Sequence, residues 1–361
     1  MSTCTRAFAT AAAGLCLAVA PAPGANYVMT GSDAIGTSSF NTGLHWPGGI
    51  APAPGNTYQT AAYMLRTPEM AGSLVFEGDS LEVQSGGTLR HKTAGTITID
   101  NLILDEGATL ELTRPNGVNS ASAEGALAGS ITLNGTAVFR AGISTDVSGQ
   151  TFTISSAIGG AGGFRTDGST GNIILTGDNT YEGLTVVSAG TLGGCGTIRG
   201  PVVVAPGGAI SLGSATNRTL TISNELTLGG NLILRIGKSG ATLTSDRLRG
   251  ISTVHYGGAL TLVAAGDMLS AGDSFQLIEA DHYSGQFAAY HLPPLPQGLK
   301  WDLTRLSSGS ISVTNAPLLY LDPSLPIETR VADLISFMTL QEKATQLFHN
   351  GAVNERLGIP N

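Results

Sequence analysis

Residues 175–192 read LTGDNTYEGLTVVSAGTL, and the fold is decided by how this line is read. Its apolar residues sit in short runs in which alternate side chains share a face, so Leu175, Val187 and Leu192 are expected in a core. Asn179 and Gly183 shape the turns between runs, since both residue types adopt turn conformations readily. Tyr181 offers one large ring to cap a coil. No helical period is present.

The same theme extends outward from residue 26 to about 315. Ser73-Leu74-Val75-Phe76, Thr96-Ile97-Thr98-Ile99, Asn101-Leu102-Ile103-Leu104 and Ser130-Ile131-Thr132-Leu133 precede it; Leu220-Thr221-Ile222 and Asn231-Leu232-Ile233-Leu234 follow. Gly, Asn and Asp turns separate these runs. Strands this short bury little singly but share a continuous core when stacked coil on coil. A right-handed parallel β-helix and a β-sandwich both fit; short strands with tight turns throughout favour the β-helix. Composition agrees: 50 glycines, 12% charged residues and 6% aromatics among 361 residues suit an all-β chain rather than a helical or disordered one.

The segment 175–192 resembles the autotransporter-associated β-strand repeat, whose pattern runs approximately L-T-G-x-N-T-Y-x-G-x-T-x-V-x-x-G-T-L. The resemblance covers about eighteen residues. It implies secretion and surface display rather than a chemistry. The strands of a membrane β-barrel, which a self-transporting autotransporter carries at its C-terminus, are not found in the sequence.

Residues 251–315 are expected to form a β cap over the solenoid 26–250. Longer strands are anticipated at Ala259–Val263, Ser274–Ile278 and Ser310–Val313, with Phe275, Tyr283, Phe287, Tyr290 and Trp301 closing the open core. A carbohydrate-stacking surface is the functional alternative for these rings. At the other end, residues 1–25 read as a secretory signal peptide: Arg6 is the basic flank and Ala7–Ala20 an apolar run too short to span a bilayer. Cys4 and Cys16 leave with it, so Cys195 has no intrachain partner. The chain is therefore expected to be secreted or at the cell surface. A net charge of −8 and scattered Lys and Arg argue against nucleic acid as a partner.

No catalytic, cofactor-binding or metal-ligating residue is assigned. Gly78-Asp79-Ser80-Leu81 matches the nucleophile block of an esterase family, but Glu82-Val83-Gln84 continues as strand and no Asp-x-x-His follows. It is expected to be a turn. His45, His91, His255, His282, His291 and His349 lack metal-ligand spacing. Asp105, Glu106 and Asp246 read as solvated turn residues.

Residues 316–361 break the pattern. Asp322-Pro323-Ser324-Leu325-Pro326 leads into a helix whose Val331, Leu334, Ile335 and Met338 share a face. Thr339-Leu340-Gln341-Glu342 has the spacing of a capping box, and Leu340, Ala344 and Leu347 are expected on the buried side of a second helix. The segment resembles the N-terminus of glycoside hydrolase family 3, on Tyr320, Asp322, Arg330, Val331, Asp333, Leu334, Met338-Thr339-Leu340, Glu342-Lys343, Gln346-Leu347 and Arg356-Leu357-Gly358-Ile359-Pro360. Phe337 departs from that family's usual small or basic residue. The resemblance implies the opening of a (β/α)8 barrel and the N-terminal part of a secreted β-glycosidase acting on β-linked xylo- or gluco-oligosaccharides, with the solenoid as tether or spacer. The two catalytic carboxylates such an enzyme needs would lie beyond Asn361. Asp322, Glu328, Asp333, Glu342 and Glu355 are given structural rather than catalytic work, and the half-built barrel start is expected to leave its apolar helix faces uncovered. The alternative is a surface-displayed β-helix that acts as an adhesin, a glycan-binding protein or a structural protein.

Overall fold

A computed structural model describes residues 24–113, 124–142, 149–168, 170–213, 217–347 and 353–359. Arg6, Cys4, Cys16 and the apolar run Ala7–Ala20 lie outside the described residues, as do His349, Pro360 and Asn361. The chain is mostly β: strands pair in two long sheets, almost wholly parallel, with two short helices near the C-terminus.

The strand registers resolve into three stacks, because Thr96–Leu104 and Glu124–Leu133 each bend midway and serve two of them. One coil is made by Asn172–Leu175, Asp178–Asn179 and Thr185–Val187; the next by Gly190–Gly194, Thr197–Ile198 and Val202–Val204. Each strand lies beside its counterpart one coil on. Ile173 pairs with Leu192 and Leu192 with Ile210, so these coils take nineteen and eighteen residues. Ile97 pairs with Leu127, thirty residues on. Extra residues leave at the corners without disturbing the stacks, which is why the sequence shows a theme but no fixed period.

Alternation along each strand builds the core as ladders. Ile173, Leu192, Ile210, Leu232 and Leu260 follow one another up one stack, each completely buried. Each such side chain contributes about 1.5–3 kcal/mol by leaving water. Leu175, Val187 and Leu192 of the repeat are all inside, as their spacing suggests. Asn179 is inside too, and its amide replaces strand pairing at a corner: Oδ1 accepts from the Ile158 N–H at 3.1 Å and Nδ2 donates to the Gly177 carbonyl at 3.1 Å. The Tyr181 ring lies within the coil, 5.8 Å from Phe164, and its hydroxyl is 2.6 Å from Thr185 Oγ1. Gly183 is required by contact between coils, since a Cβ there would sit 2.3 Å from the Gly162 carbonyl carbon.

Both ends of the core are closed. At the N-terminal end Phe40, Trp46, Tyr58 and Phe76 pack ring against ring, and the Trp46 indole donates to the Ser39 carbonyl at 2.7 Å. The buried Asp33 carboxylate ties this end together by accepting from Ser39 N, Ser39 Oγ and Arg66 N. Sequence analysis named no closure here. At the other end parallel pairing continues through Ala289–His291, and a three-stranded antiparallel sheet of Ser274–Gln276, Leu299–Asp302 and Ser310–Asn315 lies beside it. Phe275, Phe287, Ile311 and Val313 join the core, while Tyr283 and Trp301 are partly buried against it.

Helices α1 (Ile327–Phe337) and α2 (Leu340–Thr345) follow. The capping box is present as read: Thr339 Oγ1 accepts from Glu342 N, and Glu342 accepts from Thr339 N. The expected buried side of α2 is a correction. Leu340 and Leu347 are 84% and 87% exposed, and Ala344 is exposed as well, because among the described residues no element packs against that face. On α1, Val331 and Ile335 are also exposed, while Met338 is buried. The small core here is Phe337, Met338 and Leu357, backed by Tyr320, Leu334 and Ile359. Phe337, the departure from the family pattern, is its centre.

Candidate functional site

A groove of about 700 Å³ lies on the outer face of the stack that holds Ile173 and Leu192. It follows from the outward half of the alternation. One outward column runs Thr151, Asn172, Thr191, Ala209, Asn231. The next runs Thr153, Ile174, Gly193, and Ser211 beside Ile233. Thr151, Thr153, Asn172, Ile174, Ser211 and Ile233 of these columns line the groove. Arg218 and Arg235 stand at one end of the groove and Glu124 at the other. Sequence reasoning missed this feature, because the columns join residues about twenty positions apart.

Asp246 corrects the reading of it as a solvated turn residue. It is completely buried, and its two oxygens accept from the backbone N–H groups of Arg218 and Arg235, each at 2.8 Å. A hairpin of Asn231–Ser239 with Thr242–Ser245 carries Asp246 back onto the stack. Burial pushes its carboxyl above the usual range, against the pull of the two amides. Asp105 and Glu106 do lie at a turn, where they accept from Asn134 Nδ2 and Thr136 N respectively.

A second concavity, about 440 Å³, lies at the C-terminal end among Tyr256, Tyr283, Tyr290, Gln286, Leu303 and Thr304. Two of its tyrosines are tied to the backbone: Tyr256 OH donates to the Leu306 carbonyl at 2.9 Å, and Tyr283 OH to that of Ile278 at 3.2 Å. Burial raises the Tyr256 hydroxyl far above its ordinary pKa, so it stays protonated. These rings serve the closure of the core; Tyr290, 38% exposed, is the one that presents itself to solvent.

The remaining sequence candidates fall into structural roles. Ser80 opens strand Ser80–Val83 with no helix behind it, and Asp79 accepts from Gly55 N at 2.8 Å. Cys195 is exposed and unpaired. His91 is fully buried, with Nε2 3.1 Å from the Ala126 carbonyl, and burial brings its pKa to about 4. Among the described residues no group of three or more His, Cys, Asp or Glu could hold a metal ion.

In the C-terminal segment the family-like residues bind one another. Asp333 accepts from Tyr320 N at 2.9 Å and Arg330 Nε donates to the Tyr320 carbonyl at 3.1 Å. Arg356 grips the Glu342 carboxylate with two nitrogens, at 2.9 and 2.5 Å, and also donates to the Phe337 carbonyl. Asp322 accepts from Ser324 N and Oγ. The arginine holds the Glu342 carboxyl near a pKa of about 2. All of this is turn and cap work, with no pair of facing acids. The side chain of Glu355 lies outside the described residues.

No protein-family model matches the chain, and neither does any solved structure. The chain is 43% identical over 83 residues to the adhesin BmaC autotransporter of Brucella suis biovar 1 (strain 1330), a match that covers 17% of this chain and 2% of that protein. The chain thus spans a small fraction of the length of the curated relative it matches. The likeness and the parallel stacks fit the solenoid reading; the glycoside hydrolase resemblance of residues 316–361 draws no support from these comparisons. Among the described residues no helix is long and apolar enough to cross a membrane.

Proposed function

We propose that this chain is a surface-displayed or secreted β-helix of adhesin type, which acts by presenting its lateral face to a partner rather than through a catalytic centre. The observation that carries the reading is the repeat itself: of the positions its pattern specifies, Leu175, Asn179, Tyr181, Thr185, Val187 and Leu192 are buried and Gly183 lies against the neighbouring coil. The local similarity to an adhesin autotransporter and the signal-like first 25 residues support it. The partner is a glycan or another cell-surface component, and nucleic acid is disfavoured by the negative charge. The test expresses the full chain with an epitope tag and asks two things: whether antibody labels intact cells or the tag reaches the medium, and whether purified chain adheres to immobilised cell-surface or matrix material. Retention inside the cell, or no adhesion to any surface, would overturn the proposal.

A second reading is favoured by one observation, the interlocked network of Tyr320, Arg330, Asp333, Glu342 and Arg356. Residues 316–361 then open the catalytic domain of a secreted β-glycosidase for β-linked xylo- or gluco-oligosaccharides, and the solenoid tethers it. Reading the gene past Asn361 decides this: an open frame with barrel strands and a catalytic acid supports it, and a stop codon with no barrel in any frame removes it.

A further inference from the structure

We infer that the groove lined by Thr151, Asn172, Ser211, Arg218 and Arg235 binds a sparsely charged acidic glycan, with Arg218 and Arg235 receiving its carboxylate or sulfate groups; the inference rests on the adhesin reading above. Three observations carry it. First, neither guanidinium is in a direct ion pair or a side-chain hydrogen bond among the described residues, although both feel the charge of the buried Asp246. Arg235 Nε is shielded from solvent with no acceptor. In a chain with eight more acidic than basic residues, two arginines left open at one groove end are not demanded by the fold. Second, the one carboxylate between them is already engaged. Asp246 is buried and gives both oxygens to the arginine backbones, so it fixes where the two side chains start without neutralising them by a direct contact. Guanidinium geometry matches carboxylate and sulfate oxygens in pairs.

Third, the rest of the groove matches a hydroxylated polymer rather than another polyanion. Thr151, Thr153, Asn172 and Ser211 offer hydroxyls and an amide, and no aromatic ring lines the groove on which a nucleobase could stack. Glu124 at the far end repels a dense run of anionic charge. The groove crosses successive rungs, so the strand of Thr151 lies four rungs from that of Ile233, about 19 Å at ~4.8 Å per rung. A linear chain lying along the axis, with acidic and neutral sugars in alternation, meets all of these conditions.

The experiment titrates the purified full chain with hyaluronan oligosaccharides, which alternate glucuronate and N-acetylglucosamine, and with uncharged chito-oligosaccharides of equal length. The variants are Arg218→Gln/Arg235→Gln and, separately, Ser211→Trp, which places a large ring in the groove from an outward position of its strand. The wild type is expected to bind the acidic series and not the neutral one, with affinity that falls as salt rises. Both variants are expected to bind about tenfold more weakly or worse, while their circular dichroism is unchanged. Equal binding by the arginine variant, equal binding of neutral and acidic series, or no binding of the acidic series would each overturn the inference. The adhesion assay reads the parent proposal separately. Wild-type adhesion retained in full by both variants sinks the groove and leaves the adhesin reading standing; glycan binding without adhesion to any surface does the reverse.

Discussion

Tyr181 gives the most searching test of how the repeat works. Its hydroxyl and Thr185 Oγ1 lie 2.6 Å apart with both residues completely buried, so each is the other's partner in a dry interior. Tyr181→Phe leaves the Thr185 hydroxyl unpaired and should cost about 1–3 kcal/mol. Thr185→Val keeps the shape, strands the phenol and should cost a similar amount. The double variant removes both polar groups together and should lie within about 1 kcal/mol of the wild type, because no buried group is then left unsatisfied. The cycle should therefore return a coupling of roughly 3 kcal/mol. Tyr181→Ala, by contrast, opens a cavity beside Phe164 and should cost about 3–5 kcal/mol. Urea unfolding followed by far-UV circular dichroism measures all four. If the double variant is destabilised by the sum of the singles, the pair is not the reason for Tyr and Thr at these positions, and the ring alone matters.

Protonation of His91 should weaken the fold in mild acid. The folded chain holds this ring neutral down to a pKa of about 4, whereas the unfolded chain takes up the proton near 6.5. The unfolded state thus binds more protons between these values, so stability should fall by on the order of 3 kcal/mol as pH drops from about 6.5 to 4. His91→Gln should flatten that slope in unfolding measured against pH; an unchanged slope would show that other groups set it. Gly183→Ala should prevent adjacent coils from closing, seen as loss of soluble β-rich protein, and a variant as stable as wild type would deny the close approach to Gly162. The chain is expected to hydrolyse no aryl β-xyloside or β-glucoside; turnover abolished by Asp333→Ala would contradict the positioning role given to that residue.

What the sequence revealed was local. The inward places of Leu175, Val187 and Leu192 follow from alternation within a few residues, and the Thr339–Glu342 capping box from a spacing of three. What stayed hidden depends on partners brought together by stacking. Asp246 looked like any turn acid until the hairpin returned it to the amides of Arg218 and Arg235. The groove is assembled from residues such as Thr151, Asn172 and Ser211, which are far apart in sequence and meet only because the strands stack. The aromatic closure at Phe40, Trp46 and Tyr58 has no local signature, since its rings come from one long connection and the strand that follows it. Leu340, Ala344 and Leu347 were assigned a buried face on spacing alone, and spacing cannot supply the surface that would cover it.

Spin labels on one outward column measure the stack directly. Thr88, Thr109, Val138, Arg165, Val186, Val203 and Thr227 lie side by side on successive coils. With Cys195→Ser as background, labels at Thr109 and Thr227 are five rungs apart, and labels at Thr88 and Thr227 six. Dipolar electron resonance should find separations near 24 and 29 Å, one rung of ~4.8 Å between them, before allowance for the label arms. Separations that do not lengthen by one rung, or that exceed these by tens of ångströms, would mean that the strands do not stack coil on coil.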